Sequence, residues 1–279
     1  MIEFMGKQLA NPIIASSCIA TENVANILRL AENGVQGAIL KSCAEYQRRD
    51  VSGKRQFAAD SNRYLYASSP FEKEILTLEE CLSLMRVTRS RTEILIIPSF
   101  TATSISPDDW VPACLSLANE GADAIQLDFF YMGNIIGTDG LSENIITLLK
   151  ELISAVNIPI MPKLNVNLPK DYIVPLLVKA GVEYVSLLDS VRSPYLEKSD
   201  GEYRVSQRLD PITTSCFGRW QLPITLSYTY TAAQHGLKVC AGGGVACADD
   251  VQKLLAAGAV TIQSATFLTK YPTRVTELF

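Results

Sequence analysis

The chain has 279 residues, 48% of them hydrophobic, enough apolar material for the core of one large α/β domain over residues 1–279. Its formal net charge of −4, with no basic run beyond Lys54-Arg55 and the scattered Arg86, Arg89 and Arg91, argues against nucleic acid as a partner. The opening MIEFMGKQL has no apolar signal core and no apolar run reaches membrane-spanning length, so a cytoplasmic protein without membrane association is expected.

Taken in order, Phe4 to Leu9 reads as a small hairpin capping a barrel floor, and Asn11-Pro12 breaks into a first strand, Ile13 to Ser17. Thr21 is the expected N-cap of a helix from Glu22 to Glu32, closed by Asn33-Gly34. Gly37 to Cys43 (GAILKSC) reads as the second strand. Residues 44–76 form a long polar and aromatic excursion without periodicity, and loops of that length are usually functional. Thr77 caps a helix through Arg86, and Glu93 to Phe100 is the third strand. Ser106-Pro107-Asp108-Asp109 starts a helix that runs to Gly121, and Ala124 to Phe130 (AIQLDFF) is the fourth strand.

Beyond it come a helix from Leu141 to Val156, a strand from Pro159 to Val166, a helix from Lys170 to Ala180 and a strand from Tyr184 to Ser190. Val191 to Gln221 is a second polar excursion with a strand pair expected near Tyr203-Arg204-Val205. A helix from Pro223 to Gln234 leads to Val239–Ala241, small and apolar as in a strand buried on both faces. Gly242, Gly243 and Gly244 then form a turn that frees amide N–H groups for a phosphate. Asp249 and Asp250 open a helix that Gly258 stops, and Val260 to Phe267 reads as the last strand. Strict alternation over eight units implies a parallel sheet closed as a (β/α)8 TIM barrel, with an N-terminal hairpin and two long insert loops. A doubly wound open sheet is the other architecture such alternation allows, but no GxGxxG follows the first strand.

Active sites in such barrels lie at the C-terminal strand ends, which here carry Ser16, Lys41-Ser42, Ser99, Asp128, Lys163 to Asn165, Asp189-Ser190, Gly243-Gly244 and Thr266. Two lysines ending apolar strands are costly unless each meets an anion or a carboxylate. Opposite a glycine turn they favour an anionic cofactor, against the alternative of internal Lys–Asp pairs. The seven cysteines show no CxxC spacing and read as reduced thiols, with Cys18 and Cys43 in the core. His235 reads as a surface residue, and no cluster has metal-ligand spacing.

These residues together resemble the dihydroorotate dehydrogenase family of FMN-binding (β/α)8 barrels, its soluble class 1 branch more than its membrane-associated branch. The resemblance covers nearly the whole chain. Asn11-Pro12 with Ala15-Ser16 resembles the family's opening strand, and Gly37 to Ser42 with Arg48-Arg49 its second strand and following loop. Pro162-Lys163-Leu164 resembles the fifth strand, and Gly243-Gly244-Val245 with Ala257-Gly258-Ala259, Gln263 and Thr266 the phosphate end. The resemblance implies FMN as cofactor, held by Ser16, Lys41, Ser42, Lys163, Ser190, Gly243, Gly244, Ala265 and Thr266. It also implies a homodimer, for which Tyr195, Tyr203, Phe217 and Trp220 of the second excursion supply interface aromatics or else a lid. An iron–sulfur partner subunit belongs to the family as well, although this chain has no cluster motif.

The chain departs from the family where substrate is held. The family's Asn-x-Ser-Cys-Pro-Asn motif is replaced by Asp128-Phe129-Phe130-Tyr131-Met132-Gly133-Asn134. Its Asn-Ser becomes Asp189-Ser190, its later Gly-Gly Thr214-Ser215, and its Gly-Thr Ala265-Thr266. An ionised Asp only accepts hydrogen bonds, so Asp128 and Asp189 suit a substrate with N–H groups or positive charge and repel an orotate-like carboxylate. Asn62 and Asn134 are the further expected substrate contacts. Lys163 is placed at the reacting centre, and either Tyr131 or Cys216 is the expected proton donor; a phenol is a competent acid and a poor base at neutral pH, which favours reduction. The resulting expectation is a flavin-dependent oxidoreductase of a C–C bond in a small, non-orotate molecule. A divergent barrel that has lost flavin chemistry, acting as a non-redox enzyme or ligand-binding protein, is the alternative.

Overall fold

The computed structural model describes residues 1–45, 56–60, 62–69, 75–129, 141–209 and 214–279. Its central sheet closes on itself at Pro98. The parallel strands are β1 (Ile13–Ala15), β2 (Gly37–Ile39), β3 (Leu95–Ile97), β4 (Ile125–Asp128), β5 (Ile160–Lys163), β6 (Tyr184–Leu187), β7 (Lys238–Ala241) and β8 (Ala259–Ser264). Each pairs in parallel with the next, and β8 returns to β1. β3 pairs with β2, while the same run continues past Pro98 as Ser99–Phe100 and pairs with β4. Proline has no N–H to offer the ladder, which splits the strand there. Its carbonyl still accepts from Gln126 N at 2.9 Å. The ring is therefore complete, and the open-sheet alternative falls.

Helices α1 (Val24–Glu32), α2 (Leu78–Arg89), α3 (Pro107–Asn119), α4 (Leu141–Ala155), α5 (Lys170–Ala180), α6 (Leu222–Gln234), α7 (Ala248–Ala256) and α8 (Thr266–Lys270) follow the strands. Local chemistry explains several boundaries. Thr77 and Glu80 form a reciprocal capping box at the start of α2, with Thr77 Oγ1 accepting from Glu80 N at 3.2 Å and Glu80 accepting from Thr77 N at 2.7 Å. Pro107 occupies the first turn of α3, and Gly181 ends α5 at φ 89°. Thr21 does not cap α1. It ends a short 3₁₀ turn, Ile19–Thr21, and Asn23 caps instead by accepting from Asn26 N at 3.0 Å. The last strand stops at Ser264, two residues before α8 begins, so Phe267 is helical.

Between strands and helices lies a wide apolar layer in which Trp110 of α3 is fully buried against the rings of Phe100 and Phe129, 5.5 and 5.4 Å away. Burying one such large side chain contributes roughly 1.5–3 kcal/mol or more. The barrel's interior is filled separately at its N-terminal end. The antiparallel hairpin Ile2–Phe4/Lys7–Leu9 turns at Met5-Gly6 and inserts Phe4, Met5 and Leu9 among Ile14, Ile97, Met161 and Cys240. Phe4 meets Tyr184 edge-on at 5.4 Å, and Lys7 pairs with Asp123 at 2.9 Å to pin the plug. With the floor dry and closed, only the opposite end is left for chemistry.

That end is roofed by both inserts together. Gln56–Ala59 and Tyr66–Ser69 form a hairpin from the first insert. Ser215–Phe217 and Val191–Arg192, from the second, extend it into one four-stranded antiparallel sheet. The predicted strand pair around Tyr203 is present as Leu196–Ser199 with Glu202–Val205 and stands in solvent. Among the described residues no helix is long and apolar enough to cross a membrane.

Candidate active site

A cavity of about 630 Å³ opens at the C-terminal ends of the strands, beneath the insert sheet. Cavities of a few hundred to a thousand cubic ångströms are the usual size for small-molecule sites. Its inner wall begins with neighbouring strand ends, because the β4–β5 register sets Asp128 directly beside Lys163. The ammonium of Lys163 sits 2.8 Å from Asp189 Oδ2 at the end of β6, and both side chains are mostly buried. Burial alone would lower the lysine's proton affinity. The carboxylates of Asp189 and then Asp128 outweigh it and hold Lys163 above its ordinary value, so it is a fixed cation at neutral pH.

Asp189 is heavily committed. Besides Lys163 it accepts from Ser190 N at 2.7 Å, and its backbone carbonyl accepts from Gln221 Nε2. Of the two carboxylates expected to meet substrate, Asp189 thus serves as the lysine's counter-ion, the internal pair that the sequence left open. Asp128 Oδ2 accepts from Ser42 Oγ at 2.7 Å, and Lys41 next to Ser42 is buried at the same wall.

On the opposite side, Gln263 of β8 crosses the barrel. It accepts from Ser16 Oγ at 2.8 Å and donates to Ser186 Oγ and to the Leu187 carbonyl, both at 2.7 Å. Ser264, next in sequence, borders the cavity, while its Oγ is buried and has no hydrogen-bond partner among the described residues. The glycine turn closes this side. Gly243 and Gly244 have φ of 100° and 92°, and a Cβ on Gly244 would lie 2.5 Å from Leu222 N. Their first requirement is therefore nesting against the start of α6.

Of the residues expected at the site, Ser16, Lys41, Ser42, Asp128, Lys163, Asp189, Ser190, Gly243, Gly244, Ala265 and Thr266 all border this cavity. Cys216 does not. Side chains alternate along a strand, and its neighbours Ser215 and Phe217 face the cavity while Cys216 packs with Ala67 and Leu209, its thiol donating to Ser193 O at 3.6 Å. The Cys216 proton-donor assignment is corrected accordingly. Asn62 lies exposed in the turn of the first hairpin, away from the wall. Tyr131, Asn134, Arg48 and Arg49 lie outside the described residues. Cys18, expected in the core, instead borders the cavity, with its Sγ 3.6 Å from Thr269 Oγ1; burial pushes this thiol up, so it is protonated. His235 is exposed at the end of α6, its Nδ1 2.9 Å from Thr231 O.

The sequence reading missed Ser17, Gln221, Tyr66, Lys270 and Gln126. The first four join the cavity wall, and Gln126 is fully buried on β4 behind Ser99. One signal was legible: a glutamine inside the apolar run AIQLDFF must find polar partners. Tyr66 and Lys270 meet only because the first insert folds over α8, with Lys270 Nζ 3.4 Å from the Tyr66 hydroxyl.

No protein-family model and no curated protein matches this chain. A crystal structure of DHODH, dihydroorotate dehydrogenase, from Eimeria tenella in complex with ferulenol matches it with a TM-score of 0.75. The match covers 99% of this chain and 81% of that one at 10% sequence identity. The chain has the DHODH-like TIM-barrel fold; similarity at that identity concerns the fold alone.

Proposed function

We propose that this protein is an FMN-dependent oxidoreductase acting on a C–C bond of a small, non-orotate substrate. The observation that carries the reading is the presence of two buried lysines, Lys41 and Lys163, on the wall of one cavity of about 630 Å³. The donor set fits a flavin mononucleotide. The Gly243-Gly244 turn borders the cavity, and a glycine turn suits a phosphate, while the two buried lysines suit an electron-rich ring edge that needs donors. When bound, this cofactor supplies hydride transfer.

The chain's own residues do the rest. Lys163, kept charged by Asp189, donates to the ring edge, and Lys41 supplies the second donor. Ser16, Ser42, Ser190, Ala265 and Thr266 complete the cofactor's surroundings. Asp128 faces substrate as an acceptor and repels a carboxylate, which argues against dihydroorotate. Asn134 is the further substrate contact and Tyr131 the further proton donor of this proposal. A cytoplasmic homodimer fits it, with Tyr195 and Trp220 packed around the second insert.

A non-redox, ligand-binding barrel is the second reading. Asp189 already neutralises Lys163, and Ala265 borders the cavity where a glycine would let a phosphate closer. The visible spectrum of the purified protein separates the two. Flavin bands that shift when a small activated alkene is added support the first. A colourless protein that binds inorganic phosphate by calorimetry, with no competition from FMN, supports the second.

A further inference from the structure

Behind the cavity wall lies a chain of polar side chains whose proton directions are fixed by valence. Ser42 Oγ is 2.7 Å from Asp128 Oδ2, 3.1 Å from Ser99 Oγ and 3.1 Å from Ser17 Oγ. A hydroxyl has one proton and two lone pairs. Ser42 Oγ donates to Asp128 Oδ2, and that uses its one proton, so Ser99 and Ser17 both donate to Ser42. Gln126 Nε2 in turn donates to Ser99 Oγ at 2.8 Å. The reverse amide orientation would need a second proton from Ser99, which it does not have. Ser42 is then fully used, and the protons of Ser17, Ser99 and Gln126 are directed through it toward one carboxylate. Gln126 and Ser99 are buried behind the wall, whereas Ser42, Asp128 and the half-buried Ser17 border the cavity.

We propose that Asp128 is the proton-exchanging group of this cavity, and that Ser42, Ser99, Gln126 and Ser17 are positioning residues that hold it ionised and offer its proton a way out. The chemical use of this group rests on the flavin reading above; the hydrogen-bond geometry does not. In a two-electron oxidation of a substrate H–C–C–H unit, FMN, if bound in its oxidised form, would supply the acceptor for one hydrogen and its electron pair. The other leaves as a proton and forms an O–H bond at Asp128, and the C–H pair it leaves behind becomes the new π bond. The carboxylate becomes a carboxylic acid, and atoms and charge balance. The neutral acid then passes its proton to Ser42 Oγ as Ser42 passes its own to Ser17 Oγ, and Ser17 releases its proton to water in the cavity. Reduction runs the same path backward. The other charged or titratable groups bordering the cavity among the described residues are Lys163, Lys41, Asp189, Cys18, Tyr66 and Lys270. Of these Lys163, as a fixed cation set beside Asp128 in the strand register, favours the ionised form.

The test is carbon-13 NMR of protein labelled at aspartate carboxyls, with the Asp128 signal assigned by Asp128→Asn. The full-length protein is titrated as purified, and again as Ser42→Ala, Ser42→Thr and Ser17→Ala. Asp128 is expected to be ionised at neutral pH in the wild type. Ser42→Ala should raise its proton affinity about tenfold, Ser17→Ala by less, and Ser42→Thr should restore the wild-type value. A carboxyl that is protonated at neutral pH, or that ignores Ser42→Ala, overturns the proposal. If Ser42→Ala fails to fold, the Ser17→Ala and Ser42→Thr titrations still decide it: no rise in the first, or a loss of ionisation in the second, counts against it. The signal needs no cofactor. A protein that binds no FMN yet shows these shifts keeps the proton chain and loses the flavin reading.

Discussion

The two ends of one barrel obey opposite rules. At the floor, Phe4, Met5 and Leu9 fill the interior with apolar surface. At the mouth, the strand ends carry Lys163, Asp128 and Asp189, charges whose burial costs stability unless partners are provided. The difference teaches that the fold's stability is supplied largely from the floor and helix layers, and that the mouth is tolerated for its chemistry.

The contrast breaks most visibly at Phe4. Replacing it with alanine removes a fully buried ring from the plug and should cost about 3–5 kcal/mol in urea unfolding, while ligand binding at the mouth stays unchanged in the protein that remains folded. A similar effect on both would mean the two ends are not separable. At the mouth, Asp189→Asn leaves Lys163 without its nearest counter-ion and should cost about 3 kcal/mol, somewhat less than a wholly unpaired buried charge because Asp128 stands beside it. The pH dependence has a definite sign. Lys163 is raised above the ordinary lysine value of 10.5, so its stabilising contribution is complete below that pH and disappears as pH rises through the folded-state value. The stability gap between wild type and Asp189→Asn should therefore be flat at neutral pH and narrow only on the alkaline side.

Gly244→Ala should cost about 1–3 kcal/mol, since the residue has φ of 92° and its new methyl meets the backbone of Leu222. Phe57 sharpens the comparison from the other side. It is the same residue type as Phe4 but 54% exposed at the cavity rim, so Phe57→Ala should change stability by less than about 0.5 kcal/mol. If it instead alters ligand affinity, the rim is part of the binding surface.

The fold was legible where local signals were strong. The Thr77 cap, Pro107 and the helix Lys170–Ala180 follow from capping and periodicity, and the count of alternating units was sufficient for a closed barrel. Val260 to Phe267 misled because its apolar run continues through a break at Ala265 that only the packing of α8 imposes. The insert sheet was illegible for a different reason. Ser215–Phe217 pairs with Tyr66–Ser69 across about half the chain, and neither segment carries a local mark of the other. At the site, strand-end position found Lys41, Asp128, Lys163 and Asp189, whereas roles were harder. Cys216 turned away because of a one-residue alternation, and Ser17 and Gln126 matter only through partners from other strands.

The central claim is that the polar mouth holds FMN through its buried lysines. Thermal unfolding of the wild type and of Lys163→Met, each with and without added FMN, tests it most directly. The account predicts that FMN raises the wild-type melting temperature and that most of this rise is lost in the variant. No FMN-dependent rise in the wild type, or an equal rise in both proteins, would contradict it.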